Sequence, residues 1–283
     1  MYKIVRKREL NPTVTQMEIE APLVARKAKP GQFIILRVDA DGERIPLTVA
    51  GYDREKGTVT IIFQIVGATT EKLNHKNAGY LIQDFVGPLG VATDLDGLRK
   101  VCIVGGGVGC AIALPIAQKL HRLGAHVTSI IGFRTKDLLI LEDEFRACSD
   151  ELIVMTDDGS YGREGNVTVP LKELFENGET FDEVITIGPL IMMKFVVLAC
   201  QPTGIPCTVS MNPIMIDGTG MCGGCRLTLN QDGKKVTRFA RVDGPDFNGY
   251  EVDFDEAMSR GTMYSAFERH AYEEACNLFK EVE

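Results

Sequence analysis

Hydrophobic positions in the first hundred residues come in short runs and not at helical spacing. Phe33-Ile34-Ile35-Leu36-Arg37-Val38 follows Lys29-Pro30-Gly31-Gln32, the pattern of a turn and then a strand. Residues 58–63 are rich in β-branched side chains and start after Lys56-Gly57. Residues 79–86 give a further run, stopped by Gly87-Pro88-Leu89-Gly90, and only residues 70–73 suggest a helical period. This spacing predicts a small β-barrel over residues 1–97.

The rhythm changes at residue 98. Val101-Cys102-Ile103-Val104 is a continuous apolar run, as in a strand buried on both faces. Past a glycine-rich loop, Ala111, Leu114, Ala117, Leu120 and Leu123 recur at helical spacing until Gly124. Further strands are predicted over 127–131, 152–155, 184–187 and 206–209, with helices over 138–148, 169–175 and 192–200. Such alternation predicts a parallel, doubly wound α/β domain over 98–210. Residues 211–250 are rich in glycine and methionine around a Cys-x-x-Cys, and 251–283 read as a helical tail.

Composition narrows the class. The 283 residues accommodate two domains, each with a sizeable core. A net charge of −8 without a Lys/Arg block argues against a nucleic-acid surface. No uncharged apolar stretch reaches the ~18 residues of a membrane span, and the charged start of the chain lacks an apolar signal core. A cytoplasmic protein is expected. In such a setting the eight cysteines read as thiols or metal ligands. Cys102, Cys110, Cys148, Cys200, Cys207 and Cys276 mostly keep apolar company and read as small core residues. Cys222 and Cys225, separated by two glycines, do not.

Two loops carry candidate chemistry. Gly105-Gly106-Gly107-Val108-Gly109 lies between a buried strand and an amphipathic helix. Missing side chains let a pyrophosphate approach the backbone, and the helix start offers N–H groups. The strict G-x-G-x-x-G spacing is not met, since Cys110 takes the last position, and a tight turn made for packing is the alternative. Arg134, after the second strand of this domain, either meets a phosphate or is a solvated charge, so NAD(H) and NADP(H) both stay open. In the barrel, Arg44-Ile45-Pro46-Leu47-Thr48 and Gly67-Ala68-Thr69-Thr70 offer a bidentate phosphate partner, a ring-edge hydroxyl and turn N–H groups. A plain hairpin explains the same spacing.

The order of these features resembles the ferredoxin–NADP reductase superfamily: barrel, Arg44 to Thr48, Gly67-Ala68-Thr69-Thr70, Gly87-Pro88-Leu89-Gly90, then a glycine-rich α/β domain. Residues 210–226, which contain Asp217-Gly218-Thr219-Gly220-Met221-Cys222-Gly223-Gly224-Cys225, narrow the resemblance. They are similar to the small subunits of electron-bifurcating NADH-dependent reduced ferredoxin:NADP oxidoreductases, also called sulfide dehydrogenase beta subunits. Electron-transfer subunits of type B dihydroorotate dehydrogenases are more distant relatives. Residues 42–48, 132–138, 157–162, 188–194 and 242–247 extend the likeness over almost the whole chain.

The resemblance implies FAD at Arg44, Pro46, Leu47, Thr48, Ile62, Phe63, Gln64, Thr69 and Thr70, with Thr48 nearest the flavin N5. It implies a nicotinamide nucleotide at Gly105, Gly106, Gly107, Val108 and Gly109, with Gly188 and Pro189 at the rim. It also implies a [2Fe–2S] cluster on Asp217, Cys222 and Cys225, and a larger flavin and iron–sulfur subunit as partner. Phe267, Tyr272, Leu278 and Phe279 in the tail either dock on that partner or pack on their own chain. Where the family has a fourth cysteine, this chain has Arg241, whose guanidinium offers five donors and no acceptor. Two readings stand: a cluster with three protein ligands and another group, or no cluster, with Asp217 and Arg241 paired instead. The expected function is an electron-transfer flavoprotein subunit. The alternatives are a dihydroorotate-type subunit, a flavin reductase without a cluster, and a regulatory subunit.

Overall fold

The computed structural model describes residues 1–215 and 221–280, with side chains through residue 273. Two large sheets organise the chain. The first contains strands β1 (Tyr2–Asn11), β2 (Val14–Glu20), β3 (Phe33–Arg37), β4 (Arg44–Asp53), β5 (Thr58–Gln64), β6 (Leu81–Ile82) and β7 (Asp84–Leu89). Their order is β6-β1-β2-β5-β4-β3-β7, all antiparallel. β6 and β7 sit at opposite ends of that order, yet Gln83 alone joins them. The sheet must therefore curl until its edges meet, which makes a nearly closed barrel. The single run expected at 79–86 is two strands for this reason, and the Gln83 N–H bonds to the Val38 carbonyl at the seam. Ile4, Met17, Ile34, Leu36, Ile61 and Phe63 fill the barrel. Helices α1 (Pro22–Lys27) and α2 (Ala68–Asn74) lie in its connections.

The second sheet follows the predicted alternation. In chain order it runs β8 (Lys100–Gly106), α3 (Gly109–Arg122), β9 (His126–Phe133), α4 (Glu142–Arg146), β10 (Glu151–Thr156), β11 (Arg163–Glu164), α5 (Thr168–Glu176), β12 (Glu183–Ile187), α6 (Leu190–Cys200) and β13 (Cys207–Ser210). Strand order is β11-β10-β9-β8-β12-β13, parallel throughout. Successive residues serve opposite faces: Val101, Ile103 and Ile185 pack with α3, while Cys102, Val104 and Val184 pack with α5 and α6. The helix expected at 138–148 is shorter, because Leu141 takes a left-handed φ of 61° and starts α4 only at Glu142.

Beyond residue 210 the chain is more regular than its composition suggests. A hairpin, β14 (Arg226–Gln231) with β15 (Lys234–Phe239), packs Leu227 and Leu229 on the α6 side of the sheet. β16 (Asp246–Asn248) then adds antiparallel to β13. The tail forms α7 (Phe254–Gly261) and α8 (Ser265–Lys280), and α8 lies against α2 of the barrel. Phe267 is exposed there, and the side chains of Leu278 and Phe279 lie outside the described residues.

Candidate functional site

The parallel sheet divides at β8. From it, β9 and β10 step one way and β12 and β13 the other. The helices that follow β8 and β12 leave on opposite faces, so a crevice opens at the carboxyl ends of these two strands. It is a cleft of about 830 Å³ lined by Gly106, Gly107, Val108, Gly109, Gly188 and Pro189, among others. A Cβ on Gly109 would meet the Ile187 carbonyl at 2.4 Å, so bare backbone is required there, while one on Gly106 would have to displace the flexible Met192 side chain, whose Sδ lies 2.3 Å away. Gly107 takes φ +55° and faces open space. Gly105 differs: it stays inside β8, away from the cleft, where a Cβ would meet Cys110 Sγ at 2.9 Å. That glycine serves strand–helix packing.

Arg134 and Asp157 reach the cleft from the ends of β9 and β10, a cation and an anion side by side. Across the opening, the barrel contributes Asn11, Thr13 and Gln64. Asn11 Nδ2 donates to the Leu138 carbonyl at 3.0 Å and ties the β1–β2 turn to the second sheet. Ile191, Phe195, Ser210 and Asn212 complete the walls. The sequence reading did not single these out. They come from elements far apart in the chain, and only the Asn-Pro pairs at 11–12 and 212–213 marked turns near them.

The β4 face beside the cleft has its own pattern. Ile45, Leu47 and Val49 turn into the barrel, so Arg44, Pro46, Thr48 and Ala50 turn outward. Ala50, Ile62 and Val14 pack with α3 of the second sheet. Pro46 and Thr48 continue this outer face and are half-exposed. Arg44 stands half-exposed at its far end, 3.8 Å from Asp84. Leu47 and Phe63 point into the barrel, so they can present only backbone to a ligand. At α2, the Thr70 hydroxyl accepts from the N–H groups of Val66 and Gly67, both at 3.0 Å, which shapes the turn. Thr69 Oγ1 bonds Glu43 at 3.3 Å, and Gly67 leaves open space beside it. A half-open strand face, an arginine and an open glycine turn fit a flavin dinucleotide.

Behind Ser210 lies a buried carboxylic acid. Asp246 Oδ2 accepts from Thr93 Oγ1 at 2.6 Å, and Oδ1 is sealed with no partner among the described residues. Burial pushes Asp246 above the usual carboxylate range, against the hydrogen bonds from Thr93 and Ser210.

The Cys-x-x-Cys turn sits beside the hairpin. Cys222 is exposed, whereas Cys225 is buried with Leu227, Leu229 and Ala240. Asp217 lies outside the described residues. No three His, Cys, Asp or Glu side chains among the described residues converge on a metal position. Arg241 lies two residues past the end of the hairpin, and its Nη1 is buried without an acceptor among the described residues. This donor set does not fit a cluster held wholly by protein ligands.

Barrel, switch-point cleft and outward strand face define a flavin-reductase-type electron-transfer protein. The sequence pattern of the iron–sulfur cluster binding domain of dihydroorotate dehydrogenase B matches residues 212–253. A Thermotoga maritima homolog of the dihydroorotate dehydrogenase B electron transfer subunit is 46% identical over 96% of this chain and 95% of its own. The corresponding subunit of Desulforamulus reducens is 31% identical over 85% and 93%. Among solved structures, a chain of the NADH-dependent reduced ferredoxin-NADP oxidoreductase superposes with TM-score 0.90 at 44% identity, over 97% of both chains. The ferredoxin reductase of carbazole 1,9a-dioxygenase shares the fold at TM-score 0.62 and 21% identity, over 72% of this chain and 65% of that one. The chain therefore belongs to the family of dihydroorotate dehydrogenase B electron-transfer subunits and their homologues. It is an electron-transfer subunit of the oxidoreductase class, on the ferredoxin-reductase plan expected from the sequence. No helix among the described residues is long and apolar enough to cross a membrane.

Proposed function

We propose that this chain exchanges hydride between a nicotinamide nucleotide in the cleft and FAD on the barrel, and relays electrons to a larger subunit. The observation that carries the reading is one of position. The outward face of β4 and β5 meets the switch-point cleft through Gln64, so a nucleotide and a flavin can lie against each other. Bound FAD supplies the conversion between hydride and single electrons. The protein places and insulates. Arg44 and the Gly67–Thr70 turn hold the flavin's phosphates, Pro46 and Thr48 meet its ring, and Ile62 and Gln64 border it. Thr48 donates or accepts a hydrogen bond at the ring edge near N5. Gly106 to Gly109 admit the nucleotide's pyrophosphate, and Gly188 and Pro189 shape the nicotinamide end. Ile191 and Phe195 are half-exposed apolar side chains on the cleft wall and keep water from the reacting face.

The electron-transfer subunits among its relatives support a larger partner subunit; a flavin and iron–sulfur subunit met in the cytoplasm is the partner this reading assigns. The test is anaerobic purification followed by titration with NADH and, separately, NADPH. One FAD per chain, bleached by at least one nucleotide, is the expected result. A chain that binds FAD but is bleached by neither would be a structural or regulatory subunit.

A further inference from the structure

We propose that this chain does not retain a [2Fe–2S] cluster on its own residues, because Arg241 stands where the site needs its fourth protein ligand. The inference rests on the family membership given above. Such a cluster takes four ligands with lone pairs, usually thiolates and in one class two histidines. Within the matched residues 212–253 the only cysteines are Cys222 and Cys225, and none of the four histidines lies there. With Asp217 counted, three donors remain.

Among the described residues no substitute stands near the turn. Cys102, Cys110, Cys148, Cys200 and Cys207 are all buried within the parallel-sheet domain. Among the described residues no group of three metal-binding side chains forms. What does approach the turn is arginine. The Ala240 N–H donates to the Cys225 carbonyl at 3.0 Å, which fixes Arg241 next to that cysteine. Phe239, at the end of the hairpin, lies 3.6 Å from where a Cβ on Gly223 would be. Residues 239–241 therefore flank the turn closely. Arg241, the residue after Ala240, offers N–H donors and no lone pair for iron, and its Nη1 is closed off from solvent. Arg260 Nη2 donates to the Gly224 carbonyl at 3.1 Å and holds the turn from the other side. Cysteine turn, hairpin end and α7 thus hold together through carbonyl hydrogen bonds that need no metal.

The experiment compares the full chain with Arg241→Cys and Arg241→Asp. Each is reconstituted anaerobically with iron and sulfide, freed of unbound iron by a chelating column, and assayed for iron, acid-labile sulfide and FAD. The wild type should keep FAD with iron near zero. Arg241→Cys should rise to about two irons and two sulfides per chain, with the visible absorption of a [2Fe–2S] cluster. Arg241→Asp, a smaller and different donor, guards against a misfolded cysteine variant and should also gain iron. About two irons in the wild type would overturn the proposal. So would correctly folded, FAD-containing variants that both stay iron-free. Bleaching of FAD by nucleotide is read in the same samples. Its failure would count against the hydride reading and not against this one.

Discussion

Thr48 and Asp246 show how much single positions decide. Thr48 sits on the outward side of β4 because the strand alternates, and its neighbour Leu47 is committed to the barrel core. Replacing Thr48 by Val should slow flavin reduction roughly tenfold, the worth of one hydrogen bond at the ring. Thr48→Ser should restore the rate, and FAD content should not change; stopped-flow bleaching reads both. Asp246 carries a pH dependence. Its folded-state pKa is raised, chiefly by burial, so the folded protein favours the protonated acid. The stability it lends is full below the unfolded value and is lost as pH rises through the folded one. Asp246→Asn keeps the shape without the titration. Urea unfolding across that range should show the wild type losing ground to the variant as pH rises, and a constant difference would contradict the assignment. Gly109→Ala would press a Cβ on the Ile187 carbonyl and should cost about 1–3 kcal/mol in the same assay.

At the scale of elements, the βα alternation was legible because both periods are strong. Buried parallel strands read as apolar runs, and α3 repeats every third or fourth residue. The glycine loop was legible from its place between them. Gly105 was grouped with its neighbours because spacing alone does not tell a glycine that faces a ligand from one that faces Cys110. The hairpin at 226–239 was not legible, since its apolar positions are few and Gly- and Met-rich sequence surrounds it. The walls from Asn11, Ile191 and Asn212 depend on three elements meeting in space, which no local pattern encodes. The end of β9 carries a prediction of its own. Arg134→Ala should raise the KM for the cleft nucleotide about tenfold with kcat little changed, as expected for a phosphate contact made equally before and during reaction. No change in KM would make Arg134 a solvated charge.

At the scale of the molecule, hydride exchange depends on the junction between barrel and parallel sheet. Val14, Ile62 and Ala50 of the barrel share a core with α3, so the two sheets meet through packed side chains at that junction. That packing puts an outward strand face beside the switch-point cleft, and hydride transfer needs this adjacency. Ile191 lines the cleft while 49% exposed, so a larger side chain there can fill the cavity without unfolding the protein. The most direct measurement is rapid mixing of NADH or NADPH with the FAD-loaded chain, wild type against Ile191→Trp, under anaerobic conditions. The account predicts that the wild type bleaches and that the variant keeps its FAD, yields to dithionite, and reacts with nucleotide many-fold more slowly. Equal rates in the two proteins would place the reacting nucleotide outside this cleft and contradict the account.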